Sequence, residues 1–181
     1  KFYKARTKKG SLPANYVHTI YESPDSTLFV GCIFGLVAYN RENDTFSEIP
    51  LLYKGKRVAA HITDMTELST GHLLIATAGR GLFLYKNKDN VATSLDEITG
   101  LVGDLFISTV FEDSTHAVWI GTETKGVCRL YPSSGKVQAF RAPLISGNFV
   151  TSFLEEDDHN VLIGTIDGGV DRFDRRSESF T

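Results

Sequence analysis

Four stretches of the chain repeat one another, and nothing else in the sequence restricts the fold as much. Each opens with an apolar-x-x-apolar-x-Glu pattern: Val17/Ile20/Glu22, Ile62/Met65/Glu67, Ile107/Val110/Glu112 and Val150/Phe153/Glu155. The glutamates are spaced by 45, 45 and 43 residues. After a polar turn comes a second apolar run: Leu28-Phe29-Val30-Gly31, Leu73-Leu74-Ile75-Ala76, Val118-Trp119-Ile120-Gly121 and Val161-Leu162-Ile163-Gly164. A glycine then opens a third, at Gly35-Leu36, Gly81-Leu82, Gly126-Val127 and Gly169-Val170. Self-similarity at a fixed period marks a repeat architecture.

Each unit reads as short strands separated by turn residues, such as Ser23-Pro24-Asp25-Ser26 and Asp113-Ser114-Thr115. Phe46 and Phe140 mark a fourth strand, and Phe180 begins another. Phe2 lies 44 residues before Phe46, which predicts that residues 1–6 form the fourth strand of an earlier unit. No helical period of useful length is present, and residues 94–98 allow one turn at most. Four antiparallel strands repeated every ~45 residues predict an all-β chain of β-propeller blades. The expected divisions are the end of a preceding blade at 1–14, blades at 15–59, 60–103 and 104–146, and an incomplete blade at 147–181. A single blade cannot bury both of its apolar faces, so Trp119, Phe29, Leu74 and Leu162 are expected to fill gaps between neighbours.

Composition narrows the function. With 41% hydrophobic and 23% charged residues the chain can bury a core. A net charge of −3 disfavours general nucleic-acid binding. No apolar run is long enough to cross a bilayer. The chain opens on Lys1 without a signal peptide, as a trimmed or mature segment would. Cys32 and Cys128 have neither CxxC nor zinc-ligand spacing and are expected in different blades, both reduced.

The run Phe111-Glu112-Asp113, then Val118-Trp119-Ile120-Gly121-Thr122, then Gly126-Val127-Cys128-Arg129-Leu130 resembles the two-component regulator propeller repeat. So do Glu155-Glu156-Asp157, Leu162-Ile163-Gly164-Thr165 and Gly169-Val170-Asp171-Arg172-Phe173-Asp174. Leu12-Pro13-Ala14-Asn15-Tyr16-Val17 is similar to the loop leading into such a repeat. Cys32 stands where Thr77, Thr122 and Thr165 stand, and the second unit carries a longer tail from Lys86 to Thr99. The resemblance implies part of a seven- or eight-bladed ring in the periplasmic, ligand-sensing region of a hybrid two-component system, of the kind best known from Bacteroidetes. It further implies oligosaccharide signals released from polysaccharides, and a membrane helix and histidine kinase elsewhere in the protein. The remaining blades, or a second copy, would then cover the end faces, with residues 1–6 the natural donor to complete the fourth blade. The alternatives are a structural or dimerisation module without ligand, and a propeller lyase.

No nucleophile with a base at recognisable spacing is present, so this segment is expected not to be an enzyme and to need no cofactor. The four glutamates could ring a hard cation; the simpler role is to satisfy turn amides while facing water. The five histidines form no constellation and are expected in exposed turns and at strand starts. In a propeller, the loops from strand four to strand one and from strand two to strand three share a face around the central funnel. On these loops the ligand-binding candidates are Tyr16, Arg57, Arg80, Lys125, Asn148 and Asp167, which offer the aromatic faces, donors and acceptors that a sugar needs.

Overall fold

The structure, a computed structural model, describes every residue of the chain except Asp167. The first blade is a four-stranded antiparallel sheet of β1 (Val17–Glu22), β2 (Leu28–Cys32), β3 (Gly35–Asn40) and β4 (Thr45–Ile49), paired in sequence order. Next come β5 (Leu51–Tyr53), β6 (Lys56–Val58), β7 (His61–Glu67), β8 (Leu73–Ala78), β9 (Gly81–Tyr85) and β10 (Ala92–Ser94). They form one six-stranded sheet of order β6-β5-β10-β9-β8-β7, in which the β5–β6 hairpin adds to the outer edge through a parallel pairing with β10. A helix, α1 (Asp96–Val102), leads on to the third blade: β11 (Ile107–Glu112), β12 (Val118–Thr122), β13 (Val127–Tyr131) and β14 (Lys136–Phe140). The fourth is β15 (Val150–Glu155), β16 (Asn160–Thr165), β17 (Gly169–Asp174) and β18 (Ser179–Phe180). The chain is a run of four propeller blades.

The core lies between blades. Phe29 and Leu36 pack on Ile62, Met65 and Ile75 of the second blade. Leu74 and Leu82 pack on Ile107, Val110 and Ile120 of the third, and Trp119 and Val127 on Val150, Ile163 and Phe173 of the fourth. Alternation along each second strand therefore sends one residue to the preceding blade and the next to the following one. Gly31 and Gly121 let the blades meet: a Cβ on either would come within 2.7 Å of side chains that include Ile62 or Val150 of the next blade.

The seams also carry polar clasps. Glu112 accepts hydrogen bonds from the Ser69 amide and hydroxyl, in the turn of the preceding blade, and Glu155 does the same at Ser114. The glutamates thus satisfy turn amides, but those of a neighbour rather than their own. The turn of the first blade has Pro24 at the position of Ser69 and offers no amide there.

A buried ionic cluster ties the third and fourth blades. Asp113, 2% exposed, accepts from Trp119 Nε1 at 2.8 Å and from the Thr115 and Ala117 amides, and it faces Arg175 Nη1 at 3.3 Å and Arg129 Nη2 at 3.6 Å. Arg175 also binds Glu155 at 2.6 Å, and the Arg129 guanidinium lies against the Trp119, Tyr131 and Phe173 rings.

Three sequence expectations are corrected. Residues 1–6 form no strand: there is one isolated bridge, Ala5 to Leu12, and Tyr3 packs on Tyr39 and Phe46 of the first blade. The fourth blade draws its outer strand from its own Ser179–Phe180, not from the N-terminus. The helix is longer than one turn, because Leu95, Ile98 and Val102 reach the second–third seam and Gly103 closes it in the left-handed conformation. Both cysteines are free and buried, Cys32 at the end of β2 and Cys128 in β13. Burial pushes the Cys128 thiol up to about 11.

Candidate functional site

The first strand of every blade lies innermost, next to the first strand of its neighbours. Each contains one bulge at the same register, at His18, Thr63, Ser108 and Thr151. A bulge re-aims a side chain out of the ladder. All four bulged residues line a groove of about 390 Å³ on the inner side of the blades, together with Asp64 and Ser152. This lining is polar. Thr63 Oγ1 donates to the Ile107 carbonyl at 2.6 Å, Asp64 accepts from Thr109 and the Val110 amide, and Ser108 Oγ has no partner among the described residues.

At one end of the groove, the residue just before the bulged pair is aromatic in every blade but the second: Tyr16, Phe106 and Phe149, with His61 at the matching position. Their backbones are held by the loop after the second strand of the same blade. The Tyr16, Phe106 and Phe149 carbonyls accept from the Ile33, Glu123 and Ile166 amides at 3.2, 3.0 and 2.9 Å. Strand-four-to-one and strand-two-to-three loops therefore do share a face. Tyr16 is 57% and Phe106 47% exposed there.

His18 and His61, from neighbouring blades, come together on this face. His61 Nε2 and His18 Nδ1 are 3.2 Å apart, and the Tyr16 ring meets His61 edge-on. Burial and the neighbouring His18 hold His61 below the usual imidazole range, with Glu123 opposing them. The sequence conceals this pair, because the two histidines occupy different positions of the repeat and meet only when blades stand side by side.

The six sequence candidates are placed apart. Tyr16 stands at the groove mouth beside His18 and His61. Lys125 is exposed on the turn of the third blade, its amide donating to Thr122 Oγ1. Asn148 is engaged in its own loop, its Oδ1 accepting from the Ala142 amide, as Asn15 accepts from Ala5. Arg57 is on β6 at the outer edge of the second sheet, paired with Glu48 at 2.5 Å. Arg80 leans over the Tyr53 ring, with Cζ 5.8 Å from its centroid. Asp167 lies outside the described residues. No group of three or more His, Cys, Asp and Glu side chains among the described residues is arranged to hold a metal.

The class is that of consecutive β-propeller blades. No family model matches the sequence, and no curated protein matches it. Solved structures do. The extracellular domain of BT4673 from B. thetaiotaomicron, described as a hybrid two component system, matches with a TM-score of 0.82 and 21% identity over 99% of this chain and 26% of that one. The extracellular domain of BT3049 from the same organism, described likewise, gives 0.77 and 18% over 100% and 23%. PorZ, a surface component of the type-IX secretion system of Porphyromonas gingivalis, gives 0.68 and 16% over 88% and 26%. At such identities the likeness is one of fold. The chain spans about a quarter of the length of these neighbours. No helix among the described residues is long and apolar enough to cross a membrane.

Proposed function

We propose that these blades belong to the extracytoplasmic sensor region of a hybrid two-component system, in the periplasm, and bind a polysaccharide-derived oligosaccharide at the groove mouth. The aromatic ring at the entry to nearly every blade carries this reading, since Tyr16 and Phe106 present exposed faces above a polar groove. Sugars combine a C–H face that stacks on aromatics with hydroxyls that need paired donors and acceptors. His18 and His61 beside Tyr16, and Asp64 in the groove, supply such groups. The segment is not itself an enzyme on this reading, and the histidine kinase lies elsewhere in the protein. The fold neighbours from B. thetaiotaomicron support the sensor role.

Calorimetric titration with a panel of polysaccharide fragments tests the proposal. Tyr16→Ala should weaken binding by about 1–3 kcal/mol if the ring is buried against the ligand, with the melting temperature nearly unchanged. Unaltered affinity, or a ligand on the opposite face near His116 and His159, overturns it.

The end faces support a second element. Ile20 of the first blade is 63% exposed, whereas its counterparts Met65 and Val110 are buried. Val170 of the fourth is 67% exposed, whereas Leu36, Leu82 and Val127 are buried. These surfaces are covered by further blades of the same protein or by a second copy.

A further inference from the structure

Two imidazoles from different blades face each other at the groove mouth. His18 is the bulged residue of β1 and His61 opens β7, so the pair exists only where these two blades meet. The facing nitrogens, His18 Nδ1 and His61 Nε2, are 3.2 Å apart, with the rings inclined at 69°. Two nitrogens bound at about 2.0–2.1 Å to one tetrahedral ion lie roughly 3.3 Å apart. The rings thus already stand at the separation of two adjacent metal ligands.

A shared proton accounts for the same distance, because two neutral imidazoles can form one N–H···N bond. Three further observations favour a metal. Neither ring has a second hydrogen-bond partner among the described residues, so no contact fixes the tautomer and both facing nitrogens can offer a lone pair. The negative charge of Glu123 reaches His61 and adds attraction for a cation. His18 is exposed and lines the groove of about 390 Å³, which gives an ion a path and room for water ligands. Asp64, also in that lining, is already committed to Thr109 and to the Met65 and Val110 amides. The donors on offer are imidazole nitrogens. These suit zinc and its neighbours, whereas calcium and magnesium take oxygen.

The position has a structural consequence. The seam between the first and second blades is the one where Pro24 removes the amide that a glutamate clasp needs. An ion held by His18 and His61 joins the same two blades through side chains of their first strands.

We propose that His18 and His61 bind a divalent transition-metal ion of the zinc class, with water completing its shell. The proposal does not rest on the sugar reading: the metal is titrated alone, so the two can fail separately. Zinc chloride added to the untagged chain should bind one-to-one in calorimetry and raise the melting temperature by linkage. Calcium and magnesium should do neither. His18→Gln and His61→Gln should each weaken zinc about ten-fold or more, since each removes one of two protein ligands, and each should abolish the rise in melting temperature. His116→Gln is the control, because His116 lies exposed 3.4 Å from Glu112 and is where an adventitious ion would settle; zinc affinity there should be unchanged. His18 is exposed, so His18→Gln should keep the parent's circular dichroism and metal-free melting temperature. No zinc binding, binding that survives in both His18→Gln and His61→Gln, binding lost with His116→Gln, or calcium binding as tightly as zinc would each overturn it.

Discussion

Trp119 combines two roles. It is wholly buried between the third and fourth blades, and its Nε1 donates to the buried Asp113. Trp119→Ala should therefore cost about 3–5 kcal/mol through the cavity it leaves. Trp119→Phe keeps much of the packing and should cost less, about 1–3 kcal/mol, mainly by removing one donor from a buried carboxylate. Urea denaturation of the two variants gives both numbers. Titration enters at the same place. Burial pushes the Asp113 carboxyl up, but the bonds from Thr115, Trp119 and Ala117 together outweigh it and hold the group below its ordinary value. Glu155 is likewise held low, with burial opposed by Ser114 and Arg175. A carboxylate with a depressed folded-state pKa stabilises the fold above its unfolded value and loses that contribution as pH falls. The stability owed to these two carboxylates should thus be level from neutral pH down to about 5 and decline below about pH 4. Asp113→Asn should flatten part of that decline in melting temperature against pH.

The blade is the element that repeats, and its conserved-looking pattern is a set of seam contacts. Thr77 and Thr122 donate from Oγ1 to the carbonyls of Gly81 and Gly126 at 2.6 and 2.9 Å, closing the turn after the second strand. The glutamate clasp is the other half of the pattern. A double-mutant cycle of Ser114→Ala with Glu155→Gln should give a coupling of about 0.5–1.5 kcal/mol across the seam. A value near zero would mean that packing alone joins these blades. The second blade departs from the pattern because its insertion has its own apolar contacts: Leu51 and Ala92 are buried in the first–second core, and Val102 in the next one. Sequence periodicity is silent there, since a two-turn helix offers too few apolar positions to show a 3.6-residue period.

At the scale of the molecule, three seams are closed and two faces remain open. Exposed Ile20, Leu154 and Val170 are apolar surface that soluble proteins cover. The isolated chain should self-associate with rising concentration in sedimentation velocity. Ile20→Lys combined with Val170→Lys should shift it toward monomer without lowering its melting temperature. A monodisperse parent chain across that concentration range would show that these faces need no cover.

The sequence alone determined the period, the four-strand plan of the repeat and most of the residues that fill the seams. These follow from alternation and turn chemistry, which act over a few residues and recur in each copy. Only the tertiary structure decided which side chains meet across blades. His18 beside His61, Asp113 beside Arg175, and Arg80 over Tyr53 are pairs from distant positions, or from different positions in the repeat. Their proximity depends on how one sheet is set against the next, and on an insertion that occurs once. The binding candidates separated for the same reason: Arg57 and Tyr16 are equally loop-like in sequence, but the β5–β6 hairpin pairs with the outer edge of the second sheet and takes Arg57 away from the groove.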